Sequence, residues 1–223
     1  MRSFFLSMML LVTICQAETA PVKLVDDADY LTKLEKLQKN PPASDASANE
    51  KSAYIQDVIC AARDARQYDK AEAMQRVFMA HTEDAAWKHL SLSIYLGKQG
   101  KFKDAEAEAK RSIEMRPNYA IPNLVLASWE WHLGKQAEAR SRVEGIPRPA
   151  DGDKDLGYYL GCRACFFASA GDEAKIEESV QDRMKLDPEK GRVFFARDII
   201  FDPYRNKDWF IKLVGKTLAD ETK

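Results

Sequence analysis

Tyr95–Ala107 reads YLGKQGKFKDAEA, and Trp131–Ala139 reads WHLGKQAEA. In both, an apolar helical pattern runs into a glycine, then a short turn, then an Ala-rich amphipathic stretch. Gly100 and Gly134 are 34 residues apart. The same step separates Ala71, Ala105 and Ala139, in QYDKAEAMQ, KFKDAEAEA and KQAEARSRV. A further copy, FFASAGDEAKIEESV, places Gly171 37 residues after Gly134. A fixed period of this length marks stacked supersecondary units that bury their faces against neighbours. Within a unit, Leu92, Tyr95 and Leu96 recur at helical spacing before Gly100, and Phe102, Ala105, Ala109 and Ile113 after it. Each unit therefore reads as helix–turn–helix, with glycine at the left-handed residue that ends the first helix. Ser93, Ala127 and Ala164 follow the 34- and 37-residue steps on the first helices. Small side chains there let the next helix approach closely. Pro117 and Pro188 close two of the copies.

On these residues the sequence resembles the tetratricopeptide repeat family. The resemblance implies an all-α fold, a right-handed superhelical solenoid of helix–turn–helix repeats with capping helices at its N- and C-terminal ends. Four copies are expected, at 52–82, 86–119, 120–150 and 157–188. Several positions depart from the family pattern. Gln75, Ala109 and Val143 stand where the second helix should carry an aromatic, and Arg66 replaces the turn glycine of the first copy. In the fourth, Arg163 takes an apolar position and Ile176 stands in place of Ala. End repeats of such arrays are commonly atypical, because one face meets solvent.

The flanks differ from the repeats. Residues 18–51 hold a short amphipathic helix (Tyr30, Leu31, Leu34, Leu37) and a polar linker around Pro41–Asn49. Residues 189–223 read as C-terminal capping helices, an apolar stretch Val193–Ile200 and a last helix with Trp209, Phe210, Leu213, Val214 and Leu218. Met1–Ala17, MRSFFLSMMLLVTICQA, has a positive start, an apolar run Phe4–Ile14 and a small residue at its end. This is the pattern of a secretory signal peptide, with a mature chain beginning at Glu18 in a periplasmic or secreted location. The run is shorter than the about 20 residues of a membrane-spanning helix. An uncleaved anchor, making the protein a membrane-tethered assembly factor, is the alternative.

The chain has 223 residues, with 34 Lys plus Arg against 35 Asp plus Glu. That balance offers no field for nucleic acid. Cys162 and Cys165 form a CxxC that a thiol–disulfide active envelope protein would use. It falls within a repeat helix, without the helix N-terminus that lowers a thiol pKa. The competing reading is two small residues at a helix contact. A zinc site would need Cys60, Cys162, Cys165 and a histidine from His81, His89 or His132 to converge across the solenoid, so no metal or cofactor is expected. No serine elbow, phosphate loop or HExxH pattern is present, and no catalytic residue is assigned.

The resemblance implies instead a partner-binding groove lined by the first helices. Its phase assigns Gln56, Cys60, Arg63, Trp87, Leu90, Ile94, Lys98, Leu124, Ser128, Trp131 and His132 to that face. Where family members clamp a terminal carboxylate, this sequence has Gln56, Cys60, Ser91, Ile121 and Val125, which carry no charge. The expected partner is therefore a protein or peptide, either an apolar segment or an amphipathic helix, with Trp87 and Trp131 as anchors. Self-association into a homo-oligomer is left open.

Overall fold

A computed structural model describes residues 27–215. The expected signal segment, Glu18 and Leu218 lie outside the described residues. The helices are α1 Asp27–Lys39, α2 Ala48–Asp64, α3 Tyr68–Ala80, α4 Ala86–Lys98, α5 Phe102–Met115, α6 Ala120–His132, α7 Gln136–Gly145, α8 Leu156–Ala170, α9 Glu173–Leu186, α10 Pro188–Arg197 and α11 Asp208–Val214. A 3₁₀ segment, Ile199–Tyr204, joins the last two. Among the described residues there is no strand. The fold is all-α, a solenoid of antiparallel helix pairs.

The turns within the pairs are chemically alike. The N–H groups of Gln67, Lys101, Lys135 and Asp172 each donate to a carbonyl five residues back, on Ala62, Leu96, Glu130 and Phe167, at 2.8–3.0 Å. The residue before each donor is left-handed, with φ of 56° at Arg66, 77° at Gly100, 82° at Gly134 and 70° at Gly171. This bond pattern terminates a helix and satisfies its last carbonyls. Arg66 adopts the same geometry without glycine's freedom, at a cost of about 1–2 kcal/mol. It therefore takes the place of the missing turn glycine in conformation as well as in sequence.

The pairs stack through the small residues of the first helices. Ala127 and Ala164 are wholly buried, as are Ala71, Ala105, Ala139 and Ile176 of the second helices. Ser93, also buried, donates its hydroxyl to the Ala105 carbonyl at 2.7 Å and accepts the Trp129 indole N–H at 2.9 Å. A Cβ on Gly97 would sit 2.3 Å from the Trp129 ring. Trp129 of one pair thus lies flat against the backbone of the pair before it. Gln75, one of the positions without the expected aromatic, is buried and donates its amide to the Lys88 carbonyl at 3.3 Å. A hydrogen bond there joins α3 to α4.

Two apolar clusters result, one around α1 to α3 with Tyr95, the other from α4 to α11, with Ile94 touching both. α1 is docked, not free: Leu34 is buried, and the Tyr54 hydroxyl donates to the Leu37 carbonyl at 3.0 Å. A capping box of Ser47 and Glu50 starts α2. At the other end α10 and α11 pack on α9, and Phe195, Phe201 and Phe210 close the core edge-on or tilted.

Gly97→Ala should lower unfolding free energy by about 1–3 kcal/mol through overpacking, read by urea denaturation. In an Asp202→Asn background, which removes the Arg66 ion pair, Arg66→Gly should raise stability by about 0.5–1 kcal/mol as left-handed strain is relieved.

Candidate functional site: the face of the first helices and the strap across it

The first helices α2, α4, α6 and α8 share one face of the array, and residues 194–204 cross it. Asp198 marks the crossing. Its carboxylate takes the Lys98 ammonium of α4, one hundred residues away in the chain. It also accepts the Ile200 N–H at 3.0 Å and faces the Cys165 sulfur of α8 at 3.9 Å. On one side the Arg197 guanidinium stacks 3.9 Å over the Tyr30 ring of α1 and stands 4.0 Å from Asp64 at the end of α2. On the other, Asp202 lies 3.7 Å from Arg66. Phe194 fills the space beside Gly161, where a Cβ would come within 3.0 Å. The last segment is therefore a strap reaching from the final helix pair back to the first, as well as a cap. Beneath it a cavity of about 260 Å³ is lined by Lys98, Phe102, Trp129, His132, Ile199 and Ile200, among others.

Burial alone would push the Lys98 ammonium down. Asp198, with smaller help from Cys165 and Tyr68, more than offsets this and holds its pKa above the ordinary value. The two thiols of the CxxC move upward. Burial first, then Asp198, pushes Cys162 up to about 12 and Cys165 well above the ordinary thiol range. Both are free thiols and stay protonated at neutral pH, so the site does not supply the thiolate that disulfide exchange requires.

The expected groove residues divide. Gln56, Cys60 and Arg63 are exposed along α2, and Arg63 is forked onto neighbouring Asp64 at 2.8–2.9 Å. Tyr158 of α8, which is not among the expected groove residues, is 58% exposed.

Leu90, Leu124 and Ser128 are a correction. They are 7%, 0% and 6% exposed. Leu90 and Leu124 pack in the main core, and Ser128 turns its hydroxyl onto the Leu124 carbonyl at 3.2 Å. Leu90 and Leu124 support the face from below and offer it no surface, while Ser128, though buried, still lines the cavity beneath the strap. Trp131 is also amended: it packs edge-on against Phe166 at 6.0 Å, with Arg140 5.0 Å above its ring. Trp87 stays half exposed, at 50%, but leans on Phe78 of α3 at 5.8 Å, at the α3–α4 junction. Ile94 is half-buried. His132 stacks on Phe102 at 4.4 Å and 8°. Burial, then Lys98, lowers its pKa.

Elsewhere His89 is held between Asp84 at 2.7 Å and Glu108 at 2.6 Å, bracing α4 against α5. Among the described residues no group of three or more His, Cys, Asp or Glu side chains can hold a metal ion, and no helix is long and apolar enough to cross a membrane.

No protein-family model matches the chain, and no curated protein matches it. Among solved structures it is similar to YrrB, described as a TPR protein with an unusual peptide-binding site, at 15% identity and a TM-score of 0.42, over 72% of this chain and 83% of that one. It is also similar to the C-terminal part of a TPR repeat-containing protein from Cytophaga hutchinsonii, at 15% identity and a TM-score of 0.45, over 83% of this chain and 73% of that one.

The buried thiols generate two expectations. Iodoacetamide at pH 8, followed by residue-level mass spectrometry, should label exposed Cys60 and spare Cys162 and Cys165 until denaturant is added. A folded pKa raised above the unfolded one protects stability below the unfolded value and loses it as pH climbs towards the folded one. Stability should therefore fall from about pH 8.5 upward, by about 1.4 kcal/mol per pH unit for each ionising thiol. The slope should flatten in a Cys162→Ala, Cys165→Ala double variant, as followed by denaturation at pH 8, 9 and 10. On its own period, turn geometry and packing, the chain is an array of stacked antiparallel helix pairs closed by its C-terminal segment.

Proposed function

We propose that the protein is an exported, non-catalytic interaction scaffold that receives a peptide or partner helix on the face of its first helices. The observation that carries this reading is the strap: the end of α10 and the 3₁₀ segment after it already lie across α4 and α8 and reach α1 and α2, held by side chains from each. A face that holds one such segment has the spacing and charge to hold another. Solenoids suit this role because stacking itself builds an extended recognition surface. The open part, with Gln56, Cys60, Arg63 and Tyr158, is where a partner would first meet the chain. Tyr158 supplies an exposed aromatic and Arg63 an exposed cation, residue types well represented among interface anchors.

Export is proposed on the pattern of Met1–Ala17. N-terminal mass spectrometry of the protein from its native source should find Glu18 as the first residue, and an intact Met1 would remove this part of the reading.

Position-specific photocrosslinking tests the scaffold role. A benzophenone residue replacing Tyr158 should capture a discrete partner band in the native extracytoplasmic fraction. The same residue replacing Arg76, exposed on the outer helix α3, should not. Equal capture from both positions, or capture from Arg76 alone, would move the contact off this face.

A further inference from the structure

We propose that the cavity beneath the strap is a preformed site for a small uncharged molecule: a ring-sized apolar body with one carbonyl or hydroxyl oxygen that accepts a hydrogen bond from Lys98. The proposal goes beyond the scaffold reading and does not depend on it, because neither Tyr158 nor Arg63 lines the cavity.

The strap that closes one side of the cavity is fixed in place. Phe195 and Phe201 are wholly buried in the main core, and Ile199 and Ile200, between them in the chain, line the cavity. Its other walls include Lys98 of α4, Phe102 of α5, Trp129 of α6 and Ser169 of α8. Of all its lining residues only Gly100 and His132 are exposed, so it opens at the α4–α5 turn and the end of α6. A cavity with one mouth takes a compact molecule and gives an extended chain no exit. Its volume is about 260 Å³. An apolar cavity of about 150 Å³ already admits benzene, so a six-membered ring with a short substituent fits. Preformed apolar pockets with a few polar groups are the usual form of small-molecule sites.

The polar groups choose the ligand's chemistry. An ammonium carries three N–H donors, and among the described residues Asp198 is the one acceptor that Lys98 has. Asp198 is not itself a lining residue, and it also accepts the Ile200 N–H at 3.0 Å. The cavity therefore presents a cationic donor with unspent N–H groups and no carboxylate. A cationic ligand would be repelled. An anionic one would bring a third charge beside Asp198, where the Lys98 side chain is only 12% exposed and desolvation rivals the Coulombic gain. A neutral oxygen takes a spare N–H without that cost, and hydrogen bonds to charged groups are the stronger kind. Phe102, Trp129, Ile199 and Ile200 then cover the apolar body. His132 stacks on Phe102 at the mouth. Burial, then Lys98, lowers its pKa, so at neutral pH it adds no second charge.

The test is a fluorine NMR titration of the full chain at neutral pH with four probes of similar size: 4-fluoroacetophenone, 4-fluorobenzylamine, 4-fluorobenzoate and 1-ethyl-4-fluorobenzene. The acetophenone should bind at least ten-fold more tightly than the amine or the benzoate, and at least three-fold more tightly than the hydrocarbon. Ser169→Leu, which narrows the cavity, should weaken it at least ten-fold. A Lys98→Met, Asp198→Asn double variant removes the donor without stranding a charge, and should abolish the advantage over the hydrocarbon. No saturable binding of any probe would mean that the cavity holds water alone, and would overturn the proposal. So would tightest binding of the amine or the benzoate, undiminished binding to folded Ser169→Leu, or an advantage over the hydrocarbon that survives the double variant. Circular dichroism reports whether each variant is folded. If one is not, the wild-type chain decides: the acetophenone should shift the assigned amide resonances of Gly100, His132 and Ser169, and shifts confined to other residues overturn the site. None of these outcomes alters the Tyr158 crosslinks on which the scaffold reading stands.

Discussion

Trp129 can lie against α4 only because residue 97 has no side chain. An ordinary Cβ there would overlap the indole by more than an ångström relative to normal contact. The indole N–H then reaches Ser93, which is itself tied to the Ala105 carbonyl of the paired helix. Three helices from two successive pairs are thus registered by one aromatic ring. Protein interiors pack at crystal-like density and transmit such constraints without slack. The spacing between α4 and α6 set here determines where the ends of both helices fall, and hence the floor on which the strap lies.

The strap's main anchor is of a different kind. A buried ion pair is a poor source of stability, because the desolvation of both charges rivals their attraction. Lys98 and Asp198 are better understood as a positional device. The carboxylate is also the acceptor that begins the 3₁₀ segment at Ile200, so the pair fixes where the chain turns as well as where it docks. Losing either partner leaves an uncompensated charge in a mostly buried place.

The CxxC takes its meaning from the same neighbourhood. Burial beneath the strap, with Asp198 beside Cys165 adding to it, raises both thiol pKa values instead of lowering them. Motif letters that read as redox chemistry at a helix N-terminus read as packing in the middle of α8. Helical phase assigned His132 to the face, where it stays exposed with one side of its ring stacked on Phe102.

The sequence by itself determined the repeating unit. Helix termination at Gly100, Gly134 and Gly171, small residues at Ser93, Ala127 and Ala164, and the buried alanines of the second helices are local requirements, and local requirements recur with the period. Arg66 was legible as a departure, although only its φ of 56° shows that the chain kept the turn and accepted the strain. Tertiary structure alone decided the face. Helical phase places Leu90, Leu124 and Ser128 on the same side as exposed residues, but burial depends on how closely the next pair and the strap approach. That distance is set by side chains elsewhere in the chain. The partnership of Lys98 with Asp198 spans one hundred residues. No periodicity encodes it, because it arises from the curvature accumulated over four stacked pairs, which brings the last segment back over the first.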